Sequence, residues 1–272
     1  MTTVADVQLA VERLWPRERA EDWDAVGLIA GDPADEVRRI LLAVDAVLDT
    51  AAEAVATGAD LLLVHHPLLL RGVTSVAADT GKGRIVTDLV RARCALLAAH
   101  TNADVVERGT SGELGRILGL TAQQPIVASA SGDGTGLGRV GLLPEPITLG
   151  RLAEVLARAL PSTASGIRVA GSFDRPVQRV ALCGGAGDSL LGEPAVVAAD
   201  VYVTSDLRHH PASDARERHA LGRGPALVDV SHWASEWLWL DAAAEQLRAE
   251  LPGIEVAVSD LRTDPWDFQV PQ

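Results

Sequence analysis

Short apolar runs alternate with helical patterns along the whole chain. Each run is too short to be a buried helix, so it buries best as a strand in a sheet that helices cover. The runs at 39–44, 60–64, 95–99, 140–143, 180–182, 200–204, 226–230 and 255–258 read as strands. Helical patterns fall between them, near 46–57, 83–93, 111–119, 149–160, 188–198, 212–221 and 233–250. The alternation predicts an α/β fold with mainly parallel or mixed sheets. The opening stretch, MTTVADVQLAVERLWP, spaces Val4, Val7, Val11 and Leu14 along one helical face with charges between them. It therefore reads as a first amphipathic helix and not as a signal peptide.

With 272 residues the chain can form one large or two modest domains. A weak point falls at SASGDGTGLG, residues 129–138, where Gly, Ser and Asp cluster without periodicity. The reading is two interlinked α/β domains, 1–128 and 129–225, with a strand–helix–strand segment, 226–272, returning to the first. ADLLLVHHP at 59–67 is faintly echoed by ADVYVTSDLRHHP at 199–211, with four residues more between the strand and its His-His-Pro. The echo allows a duplicated fold more readily than duplicated chemistry.

A net charge of −13, with no basic cluster, argues against a nucleic-acid partner. No apolar stretch reaches the ~20 residues a membrane helix needs, so no membrane partner is expected and the cytoplasm is the expected location. Cys94 and Cys183 are the only cysteines. Each lies in an apolar run, which predicts buried thiols in a reducing compartment.

In an open parallel sheet, ligands bind at the carboxyl ends of the strands. There the sequence places Asp45 after ILLAV, His65 and His66 after LLLV, His100 after ALLAA, and Asp229 and His232 around the run ALVDV. On a regular strand neighbouring side chains point to opposite faces, so His65 and His66 share a site only if the strand ends there. Pro67 supplies that ending, because it lacks the ladder N–H and restricts the residue before it. A hydrogen-bonded structural histidine beside a part-exposed one is the plain alternative. Asp104, in AHTNADVVERG, reads as a ligand or a helix N-cap. In DVSHWASEWLWL, His232 and Glu236 stand four apart and project from one helical face. Together these elements offer three imidazoles and two carboxylates, too many for one catalytic zinc, which usually keeps three protein ligands and an open position. Two divalent ions with a bridging carboxylate fit better.

Five motifs, EDWDAVGLIAGDP (21–33), LLLVHHPLLL (61–70), AHTNADVV (99–106), TSDLRHHPASDA (204–215) and VSHWASEWL (230–238), follow one another in order along nearly the whole chain. They resemble the Nif-three-like dinuclear-metal-centre family, whose members carry the name GTP cyclohydrolase I type 2 homologue. The resemblance implies His65, His66, Asp104, His232 and Glu236 as metal ligands, with Glu236 the bridge and the site between the two domains. It implies His100 and His210 as neighbours of that site, in supporting or proton-transfer roles. It also implies two divalent ions per subunit and a toroidal homohexamer. Ala25, Ser205 and Ser231 depart from the family's Asn, Gly and Gly, and none of these changes removes a ligand.

The function implied is a metal-dependent hydrolase acting on a nucleotide or another phosphorylated small molecule. The alternative is a non-enzymatic protein that stores or delivers metal, or a hexameric interaction scaffold. His-rich ligation disfavours Mg and Ca and leaves Zn, Fe, Mn and Ni open. CGGAGDSLL, residues 183–191, reads as a strand, a Gly-rich turn and a helix start, which is either a phosphate cradle or an ordinary tight turn.

Overall fold

A computed structural model describes residues 1–270 and shows a mixed α/β chain with helices covering its sheets. The strands, numbered along the chain, are β1 Gly27–Ala30, β2 Arg39–Asp45, β3 Leu61–His66, β4 Ala95–Ala98, β5 Thr121–Gln124, β6 Val127–Ala128, β7 Gly136–Leu137, β8 Arg139–Thr148, β9 Arg168–Ala170, β10 Pro176–Ala186, β11 Val201–Ser205, β12 Ala226–Val230 and β13 Glu255–Val258. The α-helices are α1 Val4–Leu14, α2 Leu48–Thr57, α3 Gly81–Arg91, α4 Thr101–Asp104, α5 Thr110–Ile117, α6 Leu149–Ala159, α7 Pro194–Val197, α8 His209–Ala220, α9 His232–Trp237 and α10 Trp239–Glu250.

All eight expected strands are present. Of the strands that the alternation did not reveal, β5, β6, β7 and β9 have two to four residues with exposed or half-buried positions and no apolar run to mark them, whereas β1 lies in the apolar run AVGLIA (25–30) and is half-buried throughout. The helical pattern at 188–198 resolves into a 3-10 turn, Asp188–Gly192, and the short α7. The pattern at 233–250 is two helices that meet at Leu238.

Contacts divide the chain into two compact units, 1–103 with 240–263 and 104–239 with 264–272. Residues 129–135 form the hairpin turn between β6 and β7, within the second unit. The C-terminal segment is also shared: β12 and α9 pack in the second unit, while most of α10 and all of β13 belong to the first.

The first unit holds a five-stranded sheet of order β1-β4-β3-β2-β13, parallel except for β1. β3 is buried over its first five residues, as a strand covered on both faces must be. Leu41, Leu62, Val64 and Leu96 pack with Ala51 and Ala54 of α2 and with Ile85 and Leu89 of α3. The second unit holds a six-stranded sheet of order β5-β8-β10-β11-β12-β9, in which β10, β11 and β12 run parallel. Val140, Ala181, Cys183, Tyr202 and Leu227 form its core with Val196 and Ala215. Both cysteines are free and buried, and burial is the main cause that raises each thiol to about 12. Among the described residues no helix is long and apolar enough to cross a membrane.

The faint echo in the sequence has a structural counterpart. The carboxylate of Asp60 accepts the backbone N–H groups of Arg38 and Arg39, and that of Asp200 accepts those of Gln178 and Arg179. Asp60 N–H donates to Arg39 O and Asp200 N–H to Arg179 O, while Ala95 and Ala226 donate to Asp60 O and Asp200 O. Each Asp thus locks the start of three adjacent parallel strands. The repetition stops at His-His-Pro: residues 65–67 end a strand, whereas 209–211 open α8. Pro211 is tolerated there because the first turn of a helix has no intrahelical use for its N–H. Asp60→Ala and Asp200→Ala each strip the acceptor from two strand N–H groups, so each is expected to destabilise the chain by roughly 1–3 kcal/mol in urea unfolding. A midpoint unchanged in both variants would refute the lock.

Candidate metal centre

β3 brings His65 and His66 to its last two positions, and Pro67 follows where the strand stops. His65 is fully buried and His66 half-buried. Their ring centroids are 5.0 Å apart, so the two imidazoles converge although they are neighbours in sequence. His100, just beyond β4, joins them at 5.1 Å from the His65 ring and 5.4 Å from the His66 ring. One ring nitrogen from each of the three lies within 4.8 Å of the other two, a spacing that can hold a metal ion.

What fixes these rings is the other nitrogen. His65 Nδ1 donates to Ala99 O at 2.9 Å, His66 Nδ1 to Asp45 Oδ1 at 2.7 Å, and His100 Nδ1 to Asp24 Oδ1 at 2.8 Å. A carbonyl or a carboxylate only accepts, so each Nδ1 carries the proton and each Nε2 carries the lone pair that a metal needs. The acceptors are themselves held. Thr263 Oγ1 donates to Asp45 Oδ2, and the Thr101 hydroxyl and N–H donate to Asp24 Oδ2. Burial alone would raise the Asp24 carboxyl, but its bonds from His100 and Thr101 outweigh burial and hold it well below the usual range. Trp23 meets the His100 ring edge-on at 5.9 Å.

The second unit contains a histidine–carboxylate cluster of its own. His232 opens α9 and Glu236 follows one turn later, with Nε2 to Oε1 at 3.0 Å, as the four-residue spacing requires. His232 Nδ1 donates to Asp206 Oδ2 at 2.7 Å. Asp206 follows β11 with φ +55, a left-handed conformation that Asp tolerates better than most residues. Burial disfavours the charged form of His232, yet the Glu236 carboxylate and the bond to Asp206 raise it to about 11. A cation placed between His232 and Glu236 would take over the role of that proton.

Gly185, at φ +69, explains the Gly-rich stretch better than a phosphate does. A Cβ there would stand 2.3 Å from Glu236 Oε1 and 3.2 Å from His232 Nε2, so only glycine lets β10 pass the pair. The N–H groups of Gly184 and Gly185 donate to Ser111 Oγ and Ser235 Oγ at 3.1 and 3.0 Å. Those two donors are committed to hydroxyls and are not open to a phosphate. Ser235 also donates to His232 O, and Ser231 caps α9 by accepting Ala234 N–H while donating to Asp264.

Asp104 ends α4 and is not an N-cap, since α5 begins at Thr110 with Gly109 as its cap. Its Oδ1 accepts the Thr110 hydroxyl at 2.6 Å. Asp104 and Glu236 both act electrostatically on Cys183, reinforcing the rise caused by its burial. His210 is exposed on the first turn of α8, with its ring 5.2 Å from that of His209.

The model of the family Duf34/NIF3 (NGG1p interacting factor 3) matches residues 2–265. The chain belongs to the Duf34/NIF3 family. A Streptomyces coelicolor protein named GTP cyclohydrolase 1 type 2 homolog is 48% identical over 99% of this chain and 95% of its own length. A Mycobacterium tuberculosis protein of the same name is 34% identical, covering 97% of each chain. Among solved structures, a Bacillus cereus protein related to NIF3 superposes with TM-score 0.88 at 23% identity, over 98% of this chain and 99% of that one. A Staphylococcus aureus hypothetical protein superposes at 0.87 with 28% identity over the same shares.

In this NIF3 chain, sequence reading located the histidines and Glu236 and set Asp45 at a strand end, but it did not pair Asp45 with His66 and missed Asp24 and Asp206, the partners that fix His100 and His232. The pairs His66/Asp45, His100/Asp24 and His232/Asp206 are 21, 76 and 26 residues apart, so no local spacing shows them. The available signal was position, since Asp45 and Asp206 immediately terminate or follow strands. Asp45→Asn and Asp206→Asn are each expected to weaken divalent-metal binding by roughly 10–100-fold, with an unchanged far-UV CD spectrum. Competition against a chromophoric chelator measures this, and parental affinity in both would show that the pinned Nδ1 plays no part.

Proposed function

We propose that this NIF3 protein binds two divalent ions through His65, His66, Asp104, His232 and Glu236 and works as a metal-dependent hydrolase. Its substrate class is a nucleotide or another phosphorylated small molecule, and it works as a homohexamer. The observation that carries the reading is the pinning of Nδ1 in His65, His66, His100 and His232 by oxygen acceptors. A structural histidine has no need of a fixed tautomer in four separate places, whereas a metal ligand does. The names of the Streptomyces and Mycobacterium relatives support the hydrolase class.

Divalent ions held by such a donor set lower the pKa of water and stabilise negative charge developing on a carbonyl or phosphoryl oxygen. The remaining work falls to the chain. Asp24 orients His100 by accepting its Nδ1–H, which leaves Nε2 to take and return a proton. His210, on the exposed turn of α8, is the second proton-transfer candidate. The Asp206 carboxylate keeps His232 in one orientation, and Gly185 leaves the space that the Glu236 carboxylate occupies.

The test is a screen of nucleotides and phosphoesters with Zn, Fe, Mn and Ni supplied singly, run beside Glu236→Ala. We expect turnover with at least one metal and a loss of at least 100-fold in the variant. Metal content measured on the same samples separates the readings. Two bound ions without turnover on any substrate would favour storage or delivery, and equal activity of parent and variant would remove this site from the chemistry.

A further inference from the structure

The last described stretch of the chain, DPWDFQV, alternates strictly. Trp266, Phe268 and Val270 are 65, 80 and 72% exposed, with Asp267 and Gln269 between them. A period of two is the signature of a strand with one buried face, yet this segment lies in no sheet among the described residues. Three large apolar side chains in a row on one face are not the scattered singles that a solvated surface carries.

The second unit also has an unused sheet edge. β9 ends the strand order of the six-stranded sheet, pairing only with β12 among the described residues. Ile167, Val169 and Gly171 line an open groove of about 500 Å³ together with Phe173 from the turn that follows, while Arg168 and Ala170 border the other side. Val169 and Phe173 are 40 and 62% exposed. The groove and the tail are therefore complementary halves of one strand pairing.

We infer that the segment Trp266–Val270 of one copy adds as a strand to the free edge of β9 in a second copy, with Trp266, Phe268 and Val270 filling the groove. Alternation fixes what meets what. With those three turned to the groove, Asp267 falls on the face that bears Arg168, whose guanidinium pairs with Asp229 and whose side chain is still 66% exposed on a chain of net charge −13. Opposite charges then stand on neighbouring strands. The chain's own groove is not the destination, because the tail begins at its rim and leaves it: Asp264 accepts from Ser231, a lining residue, yet the three apolar side chains that follow stay exposed. Burying a Trp, a Phe and a Val against matching surface removes roughly 1,000 Å² per tail counting both sides, enough for a specific interface. Main-chain bonds to an exposed edge supply affinity, and the alternate pockets supply specificity.

This inference rests on the homo-oligomer reading above and names one contact within it. The test compares, by light scattering over a concentration series, the intact chain with a chain ending at Pro265, which keeps the Asp264–Ser231 bond. A labelled peptide of residues 264–272 is then titrated into the shortened chain and followed by anisotropy. We expect the shortened chain to lose mass and to bind the peptide, with binding at least tenfold weaker for Val169→Asp and for Phe173→Ser. Phe173 is exposed, so the second variant preserves the test if the first does not fold. An Asp267→Arg peptide is expected to bind less tightly and an Asp267→Glu peptide equally well. An intact chain that is monomeric would overturn both this inference and the oligomer reading. An oligomer whose mass survives loss of the tail, or a shortened chain that ignores the peptide, would overturn this inference alone.

Discussion

An imidazole offers a metal only one nitrogen at a time, and the proton on the other must be held if the ring is to point one way. In this protein His65, His66, His100 and His232 each surrender Nδ1–H to an oxygen, and three of those oxygens belong to Asp45, Asp24 and Asp206. The surrounding architecture keeps these acceptors in place. The strand pairing that sets Asp45 level with His66, the turn after β4 that lets Thr101 grip Asp24, and the left-handed Asp206 after β11 all serve that end. Disturbing any of them leaves the ring present and its lone pair misdirected.

Much of this was legible from sequence because strand ends are legible. Apolar runs such as LLLV and ALLAA announce where a buried strand stops, and the side chains just after them gather at one sheet end. The i, i+4 spacing of His232 and Glu236 was equally plain, since a single helical turn fixes it. The carboxylate partners are a different kind of information. Asp24 reaches His100 across 76 residues, and only the tertiary fold, with the antiparallel β1–β4 pairing near it, makes them neighbours. Asp104 shows the converse, a residue whose local pattern suggested a cap and whose observed partner is Thr110. Short edge strands such as β9 escaped notice for a simple reason: an edge of three residues with exposed side chains has no apolar run to display.

The paired roles of Asp60 and Asp200 show how two sheets of different strand order share one construction rule. Each carboxylate gathers two backbone donors at the start of a parallel strand pair, and each main-chain oxygen receives the next strand. The likeness ends where chemistry begins. One His-His-Pro closes β3 and presents converging rings, while the other opens a helix with its rings in solvent.

Gly185 carries a consequence for how such a chain can change over generations. The backbone there runs so close to Glu236 and His232 that a single added methyl group would meet the carboxylate oxygen at 2.3 Å. The backbone there makes a second demand of its own, since at φ +69 a side chain is strained whatever the space beside it. A descendant that lost Glu236 would lose the clash and keep the strain. The glycine would therefore outlast the carboxylate for which it makes room.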